Sequence, residues 1–164
     1  MSSLFSDLLV IDCASFIAGP AAATIMSDFG ARVIKIEPPG VGDSYRQLMK
    51  LPGVPQADRD YYWALDSRNK ESLALDLKHD AARPIFEKLV RKADVFITNY
   101  PAPIRRKLHL TSDDVMALSP AHLRIAVDGM KALAKNGLRY PIAPYGIQND
   151  VRSGLGASYA GGSD

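Results

Sequence analysis

The spacing of hydrophobic and polar positions in the first forty residues predicts a strand, a helix and a second strand. The apolar run "LLVID", residues 8–12, is typical of a strand that is buried on both faces. In "PAAATIMSDFG" the apolar residues recur at helical spacing, Pro20 suits the start of a helix and Gly30 suits its end. "RVIKIE" predicts the second strand, which "PPG" ends. Two strands joined by a helical crossover predict a parallel sheet.

The same alternation continues along the chain. "SLALDL", residues 72–77, alternates as a strand does, residues 80–92 predict a helix, and "DVFIT", residues 94–98, predicts the next strand. Thr111 and Asp114 form a capping-box pattern at the start of "SDDVMAL". The positions of the 80–92 helix expected to face the core are Ala81, Ile85, Leu89 and Val90. The expected fold class is therefore α/β, with a parallel sheet and flanking helices.

The remaining segments are less regular. Residues 41–59 have no sustained period and predict a long loop with one short helix, whereas "LRIAV", residues 123–127, predicts a further strand. Seven of the 12 glycines lie between residues 119 and 164, where the composition becomes that of a loose segment. We therefore expect a domain in residues 1–118 and a divergent, Gly-rich, loosely structured C-terminal segment in residues 119–164.

The composition argues against several classes of protein. No apolar run among the 164 residues approaches the ~20 residues that cross a membrane. The net charge of +2 is too small to indicate a nucleic-acid binder, and a single cysteine, Cys13, leaves no disulfide or cysteine-rich zinc site. The N-terminus has no basic residue ahead of its apolar stretch, which argues against a signal peptide. We expect a cytoplasmic protein with no membrane and no nucleic-acid partner.

Three loops are expected at one edge of the sheet, because each is predicted to adjoin the carboxyl end of a parallel strand. "SFIAGP" lacks the glycine triad of a dinucleotide site, although Glu37 would suit a ribose hydroxyl. "SRNKESLALDLK" ends in Lys78, a candidate partner for a phosphate. "TNYPAPIRRK", interpreted as a loop, offers an amide, an aromatic ring and three cations. Each loop alone can be interpreted as a simple connection between a strand and a helix. The three loops together indicate a ligand that has a nucleotide base and phosphates.

Catalytic groups are harder to identify. The three histidines, His79, His109 and His122, have neither the spacing of a metal site nor that of a Ser-His-Asp relay, and are predicted to be surface residues. Asp12 is expected to cap the turn after the first strand. Asp128, in "AVDGM", is expected to belong to an ordinary Asp-Gly turn.

Three strings in this order carry a resemblance to a known family: "SFIAGPAAATIMSDFGARVIKIEPPG", "SRNKESLALDLK" and "ADVFITNYPAP". They resemble the N-terminal part of the family III CoA-transferases, which include formyl-CoA:oxalate CoA-transferase and, as a close relative, α-methylacyl-CoA racemase. The resemblance covers residues 8–118, and family members are more than twice as long. It implies an incomplete Rossmann-like domain that binds coenzyme A, with acyl-CoA and a small carboxylic acid as substrates, no separate cofactor or metal, and an interlocked homodimer.

The resemblance also implies which residues contact coenzyme A. Arg46, after "EPPG", is a candidate for the acyl or phosphate region. Pro38 and Lys107 stand where family members carry arginines, and Glu71 stands where a basic residue is common, so charge and the bidentate fork of arginine are lost there. The implied contacts lie in the three loops and just beyond them: Ile17, Ala18, Leu75, Asp76, Leu77, Lys78, Asn99, Tyr100, Pro101 and Lys107.

The family's chemistry depends on residues further along the chain. The transferases use an aspartate that attacks the acyl-CoA thioester, and the racemases use a His and an Asp that move the α-proton. No segment here matches the one that carries the aspartate, so the catalytic residue is unknown. We expect a CoA-transferase that is truncated, with little or no activity. The alternatives are a racemase-like enzyme and a non-catalytic CoA-binding or interaction module.

Overall fold

A computed structural model describes residues 3–119 of the protein. Within this part of the chain four parallel strands form one sheet, and the predicted α/β fold with flanking helices is confirmed. The strands are β1 (Leu9–Asp12), β2 (Arg32–Glu37), β3 (Lys70–Ala74) and β4 (Val95–Ile97), in the spatial order β3-β2-β1-β4. The predicted strand at 123–127, Asp128, His122 and the segment from residue 120 lie outside the described residues.

In residues 3–119, five α-helices and two 3-10 helices connect and cover these strands. The helices are α1 (Ala18–Asp28), α2 (Tyr61–Ser67), α3 (Arg83–Val90), α4 (Ala102–Lys107) and α5 (Ser112–Leu118), with 3-10 helices at Ser44–Lys50 and Asp80–Ala82. The predicted capping box is present, because Thr111 and Asp114 each bind the other's backbone N–H. No helix within residues 3–119 has the length and apolar character needed to cross a membrane.

Two predictions about these elements are wrong. The segment interpreted as the loop "TNYPAPIRRK" contains α4, because Pro101 and Pro103 are compatible with a helix start, where no intrahelical N–H bond is needed. The strand predicted at 72–77 begins at Lys70 and ends at Ala74, since its last ladder pair joins Ala74 to Glu37. Leu75 then turns inward as the chain leaves the sheet.

The core-facing side of α3 also differs from the prediction. Phe86 and Val90 are fully buried, whereas Ile85 is 50% exposed and Ala81 is exposed. The reason is that residues 80–82 form a separate 3-10 turn, so the α-helical phase begins at Arg83. Phe86 then meets Phe96 of β4 edge to face, with ring centroids 5.8 Å apart.

The two faces of the sheet have different chemistry. Side chains alternate along each strand, so Ile11, Ile34 and Ile36 point to one face and form the main apolar core with α3 and α5. Val10 and Val33 point to the other face, where α1 covers them. Further along the same strands this second face carries buried charged residues, and α2 and the 3-10 helix at Ser44–Lys50 also lie on this side. The charges lie towards the carboxyl ends of the strands.

Helix α1 approaches the turn after β1 unusually closely at Gly19. A Cβ atom at this position would lie 2.6 Å from Ala14 Cβ and 3.5 Å from Ile97 Cγ2, so the contact requires glycine. The buried side of α1 consists of small residues, whereas Ile25 and Phe29 are 56% and 51% exposed. Close helix packing therefore fixes where the N-terminus of α1 lies relative to the ends of β1 and β4.

Candidate functional site

The carboxyl ends of the four parallel strands meet at one edge of the sheet, and the predicted loops meet there as well. The backbone N–H of Cys13 donates to the Ile97 carbonyl at 2.8 Å, which extends the pairing of β1 and β4 beyond the strands. The Leu75 N–H donates to the Glu37 carbonyl at 2.9 Å and does the same for β3 and β2. This edge is where open α/β sheets bind ligands.

The turn after β1 has an uncommon backbone conformation. Phe16 has φ +62°, in the left-handed region that bulky residues rarely adopt. Phe16 is 49% exposed, and the next residue, Ile17, is 52% exposed. Ile17 gives α1 no side-chain cap, so the first-turn N–H groups of Ala18 and Gly19 are donors that lack an intrahelical acceptor. The turn thus presents backbone donors and apolar surface at the edge of the sheet.

Asn99 joins the turn after β1 to the turn after β4. Its Oδ1 accepts from the Ser15 N–H at 2.9 Å, and its Nδ2 donates to the Ser15 carbonyl at 2.7 Å. The side-chain amide therefore bonds to Ser15 as a neighbouring strand would. The family resemblance implied a contact between Asn99 and coenzyme A; in the structure the Asn99 side chain bonds to the turn that carries Ile17.

The other predicted positions contribute backbone, apolar packing or charge. Leu75 is buried in the main core, and Leu77 and Tyr100 pack against that core, where burial raises the pKa of the Tyr100 hydroxyl. Asp76 Oδ1 accepts from the Lys78 N–H at 3.0 Å, so the Asp76 carboxylate stabilises the turn that follows it. The Lys78 side chain is exposed. Pro101 precedes α4 as its N-cap residue.

The basic triplet "RRK" lies in the last turn of α4. Arg105 is buried, whereas Arg106 and Lys107 are exposed. His79 is exposed and caps the 3-10 helix at Asp80–Ala82 through Nδ1, and His109 is exposed, as predicted for both histidines. Because Lys107 is the last residue of α4, the length of this short helix separates it from Pro101, which precedes the helix.

Asp12 caps its own turn, as predicted, and also forms buried ion pairs. Its Oδ1 accepts from the Ala14 N–H at 3.1 Å. Its Oδ2 lies 2.9 Å from Lys70 Nζ and 3.6 Å from Lys35 Nζ, with all three side chains at most 2% exposed. Burial lowers the pKa of Lys70, and the neighbouring Asp12 charge offsets this only partly. Neither lysine was predicted to be buried, because single lysines in strands are usually solvated.

Glu37, at the end of β2, is fully occupied by partners. Arg46 donates to both carboxylate oxygens at 2.7 and 2.8 Å, Ser72 Oγ donates to Oε1 at 2.7 Å, and the Asp43 N–H donates to Oε2 at 3.0 Å. Burial tends to raise the pKa of Glu37, but the hydrogen bonds from Arg46, Asp43 and Ser72 together lower it to about 2. The carboxylate is a structural anion, and the ribose role considered from the sequence has no support in this geometry.

Arg46 is held by the same arrangement. Its guanidinium carbon lies 3.7 Å from the centre of the Trp63 ring, a cation–π contact, while its side chain is 37% exposed. In the structure the planar fork therefore binds Glu37 and Trp63, where the sequence suggested an acyl or phosphate group. Within residues 3–119 no group of three or more His, Cys, Asp or Glu residues is arranged to hold a metal ion.

Comparison with known proteins identifies relatives of this chain. The model of CoA-transferase family III matches residues 5–137, which extends past Leu118. Acetyl-CoA:oxalate CoA-transferase from Acetobacter aceti is 36% identical over 141 residues, 86% of this chain and 34% of that protein. Formyl-CoA:oxalate CoA-transferase from Escherichia coli is 33% identical over 120 residues, 73% of this chain and 28% of that protein. The chain therefore spans about a third of the length of these relatives.

Two solved structures are similar to this chain in fold. A CAIB/BAIF family protein from Brucella suis superposes with a TM-score of 0.63 at 28% identity, over 73% of this chain and 32% of that chain. A hypothetical protein from Mycobacterium tuberculosis superposes with a TM-score of 0.59 at 30% identity, over 72% of this chain and 30% of that chain.

Proposed function

Because the chain belongs to CoA-transferase family III, we propose that it binds coenzyme A or an acyl-CoA at the carboxyl edge of its sheet and serves CoA transfer between an acyl-CoA and a small carboxylic acid. The observation that carries this proposal is the meeting of three motif-bearing loops at one edge. Ile17 and Ala18 present the turn before α1, Lys78 offers an exposed cation, and Tyr100 and Pro101 form the third side.

The groups at this edge suit the parts of coenzyme A. Uncapped N–H groups at the start of an α-helix favour a phosphate or a carbonyl oxygen, because they carry partial positive charge. Lys78 adds a full positive charge. Phe16 and Ile17 provide half-exposed apolar surface for the uncharged parts of the ligand. We propose that these residues act chiefly through backbone and charge, since the Asn99 amide and the Leu75 side chain are engaged elsewhere.

We assign no nucleophile within residues 3–119. Thioester attack needs a carboxylate with an accessible oxygen lone pair next to the acyl group. The three buried carboxylates nearest the edge, Asp12, Glu37 and Asp43, are each held by a cation and by N–H or O–H donors. We propose on this basis that the described part supplies binding and that covalent chemistry requires a carboxylate from outside it.

The experiment is a calorimetric titration of the 164-residue chain with coenzyme A, paired with a charge-reversal comparison. Lys78→Glu is expected to weaken binding by about fivefold to tenfold, since an exposed pair with a phosphate contributes about 1 kcal/mol. Lys88→Glu reverses another exposed lysine, on α3, and is expected to leave the affinity unchanged. A wild-type chain that binds no coenzyme A at millimolar concentration would refute the proposal. Equal losses in the two variants would refute the assignment of Lys78.

A further inference from the structure

The turn after β1 is held from a second side by a carboxylate that the motifs do not contain. Asp43 Oδ1 accepts from Ser15 Oγ at 2.7 Å, from the Phe16 N–H at 3.3 Å and from the Tyr45 N–H at 2.9 Å. Three donors from two segments therefore converge on one oxygen atom. Asn99 holds Ser15 from the opposite side through its backbone N–H and carbonyl. The backbone of this turn is thus bracketed between two side chains.

Phe16 needs this support because its conformation is unfavourable. A bulky residue at φ +62° is strained, and such conformations persist only where the surroundings impose them. Packing of the ring supplies little of that constraint, because Phe16 is 49% exposed and its ring centroid lies 6.3 Å from that of Tyr45. Hydrogen bonding at the Phe16 N–H and at the adjacent Ser15 is the remaining constraint; Asp43 provides the bond at Phe16 and shares the bonding of Ser15 with Asn99.

The Asp43 carboxylate is itself fixed by charge. Its Oδ2 lies 2.8 Å from Lys35 Nζ, and the two side chains are 2% and 1% exposed. Lys35 Nζ also donates to the Ala14 carbonyl at 2.9 Å, one residue before the turn. Because Lys35 fixes the position of Asp43 Oδ2, the other carboxylate oxygen, Oδ1, is directed towards Ser15 and Phe16. The buried pair therefore specifies geometry in addition to neutralising its own charges.

We infer that Asp43 is a positioning residue for coenzyme A binding: its Oδ1 holds Ser15 and Phe16 in the shape that brings Ile17 and Ala18 to the ligand. This role rests on the proposed function. It predicts that affinity depends on the acceptor oxygen at position 43, whereas stability depends on that oxygen and on the negative charge facing Lys35.

Three variants of the full chain separate these contributions, with affinity measured by calorimetry using coenzyme A and stability by urea unfolding. Asp43→Ala removes the acceptor and the charge, and is expected to weaken binding by about tenfold or more. Asp43→Asn keeps an acceptor oxygen but places an uncharged amide against Lys35; it is expected to lose stability while its affinity stays within about twofold of wild type. Tyr45→Phe deletes the hydrogen bond from the Tyr45 hydroxyl to Asp66 and keeps the bonds between Asp43 and the turn after β1. It is the control that shows whether a loss of stability close to Asp43 is enough to weaken binding.

The outcomes distinguish this inference from the proposed function. If the wild-type chain binds coenzyme A and Asp43→Ala binds it almost as tightly, the positioning role is overturned and the proposed function stands. The positioning role is also overturned if Tyr45→Phe loses as much affinity as Asp43→Ala. A wild-type chain that does not bind refutes the proposed function and, with it, this role. If Asp43→Ala fails to fold, Ser15→Ala removes one bond from the turn side; a loss of about threefold supports the role, and no loss overturns it.

Discussion

Replacing Glu37 by glutamine tests the electrostatic account of the second face of the sheet. Glu37→Gln keeps the size of the side chain and one acceptor oxygen, but removes the charge that faces the two N–H groups of Arg46. Arg46 is 37% exposed and stays hydrated in the variant, so the change does not strand a buried cation. The effect on stability therefore measures the carboxylate in its native surroundings.

The magnitude follows from the pKa. Glu37 has a pKa of about 2 in the folded protein against an ordinary value of 4.5. At about 1.4 kcal/mol per pKa unit, the ionised carboxylate contributes about 3 kcal/mol to folding. Because the folded pKa is the lower one, this contribution is complete above pH 4.5 and is lost as the pH falls from 4.5 towards 2. Glu37→Gln is thus expected to be about 3 kcal/mol less stable at pH 7 and nearly equal to wild type near pH 2.

Urea unfolding followed by circular dichroism at pH 7, 4.5, 3 and 2 measures this difference. Other carboxylates, including Asp43 and Asp114, also have lowered pKa values and cause acid destabilisation in both proteins. The difference between the two unfolding free energies isolates Glu37, provided that the denaturant slope is unchanged. If the difference in unfolding free energy between wild type and Glu37→Gln stays constant from pH 7 to pH 2, the reasoning is refuted. A constant difference would come from lost packing or hydrogen bonds and not from the lost charge.

Two further substitutions test other contacts. Gly19→Ala places a Cβ 2.6 Å from Ala14 Cβ; a cost of about 1–3 kcal/mol for overpacking exceeds the gain of up to about 1 kcal/mol from helix propensity, so urea unfolding should show a net loss. Lys70→Met removes a buried cation from Asp12 and from the Pro20 and Asp66 carbonyls, and a loss of about 3–5 kcal/mol is expected in the same assay. Wild-type stability of either variant would contradict its predicted contact.

Local patterns were sufficient to predict the first three elements and insufficient for the fourth helix. The β2 boundaries agree with the prediction, and α1 begins two residues before Pro20 because the Ala21 N–H donates to the Ile17 carbonyl at 2.7 Å, which makes Ile17 the N-cap residue. Helix α4 was interpreted as a loop because prolines and adjacent cations usually indicate one. In the structure the prolines lie at its start, where they are tolerated, and Arg105 is buried, which its neighbours in sequence do not indicate.

The motifs located the edge of the sheet but did not predict how the side chains there are used. Asn99 and Asp43 are 84 and 28 residues from Ser15 in sequence, so no local spacing indicates that both bind it. A usable signal was present in "RVIKIE": a strand covered on both faces that contains Lys35 and Glu37 must bury those charges, and buried charges require partners. The identity of the partners depended on tertiary structure.

The position of β1 in the middle of the sheet has a consequence for how the chain folds during synthesis. Val10 pairs with Val33 on one side and with Val95 on the other. The first contact forms within a short segment, whereas the second must close a loop of 85 residues, and parallel pairing over such a distance is slow. At an elongation rate of ~5–20 residues per second, β1 has an unpaired edge for several seconds before β4 is made. The nascent chain is therefore most open to misassociation during that interval, when chaperone binding to the β1–β2 unit would protect it.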